Sequence, residues 1–326
     1  MKIRKTLAGM TAFALLLPAT ACSSDSEDSS ATTIAGSDHI GAAQISIANA
    51  EDLWSAAGVD AEPQSYTSGR DALNALLGGQ ADFAAIGDLP TVTSILGQQD
   101  LEIVSTLSWG TQWRLLTRGD AGIGDFSDLN GKKIGVTEGT NTQYLLSRIL
   151  ESVGLSEEDI TVVNLAANQI PAALNNSDID AGVTFPSFYA ETEKILGDNL
   201  RELEYPEYES PTLLVTRADV DDERVGAVLG VLAEAQKRID DDPDAAEKQV
   251  APGSGGGVTE DAVSALWPLY RYGLELKAPL VEALSAEARW ASERLELGGD
   301  PSPEAIENAV RSGPLKAFDE SAAEVG

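Results

Sequence analysis

Asp128-Leu129-Asn130-Gly131-Lys132-Lys133-Ile134-Gly135-Val136-Thr137-Glu138-Gly139-Thr140-Asn141-Thr142 is the stretch on which the fold turns. It reads as a short strand over 133–136, a polar turn, and the opening of a helix. Leu145, Leu146, Ile149, Leu150 and Val153 then recur at helical spacing, and Gly154 closes the helix. A buried strand that feeds a helix through a polar turn is the working half of a βαβ unit. Loops at the carboxyl ends of such strands are where open α/β sheets hold ligands.

The same grammar extends in both directions. Downstream come a strand over 160–165, a short helix over 170–174 and a strand over 180–184 that ends in Phe185-Pro186. Upstream, a strand over 32–35 runs into Gly36-Ser37-Asp38-His39, and a helix is expected over 42–57, ended by Gly58. Ser68 is placed to cap a helix whose Ala72, Leu73, Leu76 and Leu77 share one face. Gly78-Gly79 stops it, and a strand over 81–86 leads to Gly87-Asp88-Leu89-Pro90, a short helix and a strand over 101–107. Residues 75–90 and 173–186 echo one another: a helix end, a polar turn, an Asp, a buried strand, then a residue followed by proline. The echo predicts two similar α/β lobes with four loops facing one cleft. Beyond Thr216 the pattern turns helical, with helices expected over 219–239, 259–276, 280–297 and 303–317. The Gly-rich stretch 251–257 has no phosphate-loop Lys and reads as a linker.

Composition narrows the function. With 22 Lys+Arg against 53 Asp+Glu the formal charge is −31, which repels phosphate backbones and argues against nucleic acid. One Cys and one His cannot build a thiolate or imidazole metal cluster, and no metal or organic cofactor is implied. At the amino end Lys2, Arg4 and Lys5 precede an apolar stretch over 7–17, shorter than the ~20 residues of a spanning helix. A secretory leader over 1–21 is therefore expected. Ala19-Thr20-Ala21 runs into Cys22, which suits lipoprotein processing with Cys22 as the lipid anchor. Ordinary cleavage nearby, with an incidental thiol, is the alternative. The Ser- and Asp/Glu-rich residues 22–31 read as a flexible tether.

Asp128-Leu129, Gly131-Lys132-Lys133 and Gly139-Thr140-Asn141-Thr142 together resemble the binding-protein family for aliphatic sulfonates, nitrate, taurine and thiamine-precursor pyrimidines. Gly87-Asp88-Leu89-Pro90 is similar to that family's first-lobe turn, and 178–186 to its second-lobe strand and x-Pro turn. The resemblance covers residues 33–216. It implies a type II periplasmic-binding fold: two lobes, each a mixed, mostly parallel sheet flanked by helices, with a helical C-terminal part. The lobes would be 32–112 with 212–326, and 113–211, joined by crossings near 111–117 and 210–216. It implies a monomeric, lipid-anchored, extracytoplasmic protein that closes on a small solute and serves an ABC permease and its ATPase.

Thr140, Asn141 and Thr142 begin a helix, where free N–H groups and the dipole favour an anion; plain N-capping needs only one of them. Asp88 would accept from a ligand amine or brace its own turn. Asp38 and His39 end the first strand, with an exposed loop as the alternative for His39. Trp109 and Trp113 flank a crossing and could stack on ligand or pack the hinge. Arg114 could pair with a sulfonate, or sit in a surface ion pair. Glu138 with Asp38 and Asp88 would give an acidic rim, better suited to an amine-bearing or heteroaromatic solute. Phe185 stands where sulfonate- and nitrate-binding relatives often carry Trp. An enzyme of the pyrimidine-synthesising kind would need a dense Cys and His site, and Cys22 and His39 do not supply one. A surface sensor that uses the same fold without transport stays open.

Overall fold

The computed structural model describes residues 31–36, 39–250 and 259–326. The expected leader, the tether with Cys22, Asp38 and the Gly-rich linker lie outside the described residues. In chain order the strands are β1 (Thr32–Ala35), β2 (Ala61–Gln64), β3 (Phe83–Gly87), β4 (Glu102–Gly110), β5 (Arg114–Arg118), β6 (Lys133–Val136), β7 (Thr161–Asn164), β8 (Ala181–Val183), β9 (Leu200–Glu204), β10 (Ser210–Thr216) and β11 (Tyr270–Tyr272). They form two mixed sheets, ordered β11-β4-β10-β3-β1-β2 and β7-β6-β8-β5-β9.

Strands linked by helices pair in parallel: β2 and β3 flank β1 in the first sheet, and β7 and β8 flank β6 in the second. Strands that carry the chain between sheets run antiparallel: β10 lies against β3 and β4, and β5 against β8 and β9. Strand β3 sits between β1 and β10, with Phe83, Ala84, Ala85 and Ile86 buried. Such a continuous apolar run is what a strand covered on both faces requires. Strand β4 carries Thr106 and Ser108 into the core, where Thr106 Oγ1 donates to the Glu275 carbonyl at 2.9 Å and Ser108 Oγ to the Gly41 carbonyl at 2.7 Å. These bonds let polar side chains be buried without an unmet donor.

The chain leaves the first sheet between Gly110 and Arg114 and returns between Glu204 and Ser210. Residues 210–216, expected as a crossing, are instead strand β10. Leu213, Leu214 and Val215 are fully buried there, too apolar a run to span an exposed gap, so the return crossing falls one segment earlier. Likewise 114–118 is strand β5. The C-terminal helices complete the first lobe: Asp222–Asp241 packs on Ala43–Ala50, and Ala278–Arg294 on Asp88–Leu96.

Three expected helices are shorter than the pattern predicts. The one over 42–57 breaks at Asp52, whose φ of 53° is left-handed. The one over 259–276 ends as Glu260–Leu266 and a 3-10 turn over Trp267–Leu269, then becomes β11. Pro268 lacks the N–H that an interior position needs. Pro314 similarly starts a separate helix, Gly313–Lys316, and Val310 bridges to Ile103 in between.

Candidate functional site

The carboxyl ends of β1 and β3 face those of β6 and β8 across a cleft of about 590 Å³, within the range of sites that hold small organic ligands. Two helix N-termini open on it. From the first lobe, Ser68 caps Gly69–Leu77, its Oγ accepting from Asp71 N at 3.2 Å. From the second lobe, Thr140 caps Asn141–Ser152. Ser68, Gly69, Thr140 and Asn141 all line the cavity. Partial positive charge from both termini therefore converges on one space.

Asn141 and its neighbours divide the labour at that terminus. Thr140 is 1% exposed, and its hydroxyl donates to the Thr137 carbonyl at 2.8 Å and lies 2.8 Å from Thr142 Oγ1. Thr142 is fully buried and does not line the cleft. Their hydroxyls are used in holding the turn, whereas the Asn141 carboxamide projects toward the first lobe and touches Gly87. A Cβ on Gly87 would stand 3.0 Å from Asn141 Nδ2. Gly139 is favoured by its φ of +75°, in the left-handed region, and it lies close to the Arg70 side chain. Arg70 donates from the first lobe to the Glu138 carbonyl at 3.0 Å and so bridges the lobes beside the cleft.

Of the residues singled out from sequence, His39, Trp113, Thr140, Asn141 and Phe185 line the cavity. His39 Nε2 lies 3.4 Å from the Ala85 carbonyl. Phe185 follows β8 half-buried, ahead of Pro186, Ser187 and Phe188. Five others sit elsewhere. Asp88 is 2% exposed and turns inward: Oδ1 accepts from Leu89 N at 2.9 Å and Oδ2 from the Tyr208 hydroxyl. Burial pushes its carboxyl up to about 6, against the lowering effect of those two donors. Trp109 is buried behind the cleft, 5.9 Å from the Arg271 guanidinium. Arg114 pairs with Glu202 at 2.7 Å, lies 4.8 Å over the Tyr189 ring and does not line the cavity. Glu138 and Thr142 contribute to the turn and not to the lining. Asp38 is outside the described residues.

Several lining residues carry no motif. Gln112 and Trp113 lie on the outgoing crossing, Ser210 at the start of β10, Tyr66 before the Ser68 cap, and Tyr270 on β11. Gln112 is 5% exposed and its Oε1 has no hydrogen-bond partner among the described residues. Trp113 Nε1 donates to Ser210 Oγ at 2.7 Å, which fixes the indole in the wall. Trp113 stands out in the sequence as an aromatic beside a crossing, whereas only the short spacing between two strands of different sheets could have pointed to Gln112. Among the lining residues there is no Lys or Arg, and Glu191, at the exposed edge, is the single carboxylate. Among the described residues no group of three or more His, Cys, Asp or Glu is placed to hold a metal. The arrangement offers neutral donors, two helix N-termini and aromatic walls: it can bind and orient a small polar molecule.

Comparison with known proteins agrees with this architecture. A Brucella abortus protein named as a binding protein is 29% identical over 208 residues, covering 61% of this chain and 63% of that one. The match thus spans less than two thirds of that relative's length. An aliphatic sulfonates-binding protein of Bacillus subtilis is 26% identical over 191 residues, 58% of each chain. Among solved structures, the periplasmic aliphatic sulphonate binding protein SsuA of Escherichia coli superposes with a TM-score of 0.72 at 18% identity, covering 86% of this chain and 92% of that one; at that identity the likeness is one of fold. The profile of the NMT1/THI5-like family matches residues 39–246. The chain has the periplasmic-binding-protein fold and belongs to the NMT1/THI5-like family.

Proposed function

We propose that this chain is an extracytoplasmic solute-binding protein of an ABC importer, and that its cleft captures a small organic anion of the sulfonate class. The observation that carries the reading is the convergence of Ser68-Gly69 and Thr140-Asn141, two helix N-termini from opposite lobes, on one cavity. An anion between them gains from both dipoles and from neutral donors such as Asn141. Without a cation in the lining, the tetrahedral head of a monoanion is held by hydrogen bonds, and the apolar tail lies against Trp113, Phe185 and Phe188. The named sulfonate-binding relatives support the ligand class.

Capture proceeds by rotation of the lobes about the two crossings, 111–113 and 205–209, and the closed form presents both lobes to the permease. Arg70 with Glu138 on one side, and Gly87 with Asn141 on the other, already meet across the cleft in this structure and part when it opens. Cys22 anchors the protein to the membrane surface, and the protein acts as a monomer. The reading is tested by calorimetric titration with ethanesulfonate, butanesulfonate, nitrate and butylammonium. Saturable one-to-one binding of a sulfonate, lost on Asn141→Asp, supports it. Preference for butylammonium over every sulfonate overturns the anion assignment while leaving solute capture in place.

A further inference from the structure

Behind the cleft wall, four elements meet in an aromatic and acidic cluster. Asp88 comes from the first-lobe helix Asp88–Leu96, Tyr208 from the return crossing, Tyr144 from the second-lobe helix Asn141–Ser152, and Glu287 with Trp290 from the C-terminal helix Ala278–Arg294. Trp113 of the outgoing crossing stacks on Tyr208 with centroids 5.7 Å apart. Tyr144 meets Tyr208 edge-on at 5.5 Å and Trp290 at 5.1 Å. Trp290 Nε1 donates to Ser147 Oγ at 2.6 Å, tying the C-terminal helix of the first lobe to the second lobe. Both crossings and both lobes therefore share one packed cluster, and rotation of the lobes must shear it.

Two carboxyl groups lie inside. Asp88 is 2% exposed and Glu287 is 1% exposed. Asp88 has two donors, Leu89 N and the Tyr208 hydroxyl, while Glu287 Oε1 has no hydrogen-bond partner among the described residues. No Lys or Arg pairs with either among those residues. The titratable groups facing them are Tyr208 from the crossing and Tyr144 from the second-lobe helix, and Arg148 and Glu151 act only on Tyr144 from further along that helix. Burial raises both carboxyls, and the charge of Asp88 raises Glu287 further. Two carboxyls buried in one cluster and repelling each other hold a proton in preference to two charges.

We infer that Asp88 and Glu287 form a proton-holding pair at the hinge, and that loss of its last proton loosens the cluster and opens the cleft. Glu287 carries the proton, because the two donors at Asp88 favour its carboxylate and nothing favours that of Glu287. When both ionise, the cheapest relief is for the C-terminal helix to part from Tyr144 and admit water to Glu287. The open form then binds fewer protons, so rising pH favours it.

Pulsed electron spin resonance between labels at Glu62→Cys and Asp198→Cys, one exposed position per lobe, in a Cys22→Ser background, measures the opening without any ligand. As pH rises above the ordinary carboxylate range and through the raised carboxyls of Asp88 and then Glu287, the distances should shift reversibly to longer values. Glu287→Gln, of the same shape but unable to ionise, should stay short throughout, and Asp88→Asn supplies the same test if Glu287→Gln does not fold. A parent distribution unchanged with pH overturns the proposal, as does a Glu287→Gln protein that shifts like the parent.

Discussion

The turn after β3 and the turn after β8 occupy equivalent places, yet they serve different ends. Each strand lies between a parallel neighbour and an antiparallel strand linked to the other sheet, and each ends in a short segment with proline. After β3, Asp88 folds back into the hinge and is bonded by Leu89 N and Tyr208. After β8, Phe185 stays half-buried at the cleft beside Ser187 and Phe188. One turn contributes a buried carboxyl to the cluster between the crossings, and the other an aromatic wall to the cleft. Position in the topology places a residue near the cleft; the partners on adjacent elements decide which way it faces.

That contrast can be broken by substitution. The largest effect should come from Asn141→Asp, which puts a carboxylate at the N-terminus proposed to hold the anion. Sulfonate affinity should fall about 100-fold, or about 2.7 kcal/mol, in a calorimetric titration, with melting temperature little changed. Tyr208→Phe should act the opposite way. It removes a donor from buried Asp88 and should cost about 1–3 kcal/mol of stability, read as a melting temperature lower by several degrees.

Glu287→Gln sharpens the hinge side of the comparison through pH. An acid whose carboxyl is raised in the fold costs nothing while protonated and weakens the fold once ionised. Its contribution is therefore complete below the ordinary carboxylate range and is lost as pH climbs through the raised value, about 6 for Asp88 and above the ordinary range for Glu287. The melting temperature of the parent should fall as pH rises through that window, and Glu287→Gln should fall less steeply. The smallest effect belongs to Phe185→Ala, which removes apolar contact with a ligand tail. Butanesulfonate should bind roughly threefold to tenfold more weakly, and ethanesulfonate, with its shorter tail, should be affected less.

The outline of the fold was legible because its signals are local. Strand β6, the turn at Gly139 and the helix after Thr140 follow from apolar spacing and capping chemistry within one window of sequence. Strands β5, β9 and β11 were not legible, because each is defined by a partner far along the chain: β5 by β8 and β9, β11 by β4. The site divides in the same way. His39, Thr140, Asn141 and Phe185 lie at strand ends, where topology alone directs them to the cleft. Arg114 and Asp88 were drawn elsewhere by Glu202 and Tyr208, 88 and 120 residues away in sequence. Trp113 was visible by its aromatic type alone, and Gln112 gave no signal because a crossing has no periodicity of its own.

Calorimetric titration of the protein with butanesulfonate against butylammonium tests most directly the claim that two converging helix N-termini make this an anion-capturing cleft. One-to-one binding of the sulfonate, with butylammonium silent, is the result predicted. Binding of butylammonium with the sulfonate silent would contradict it and would move the ligand contacts to Glu191 and the aromatic wall.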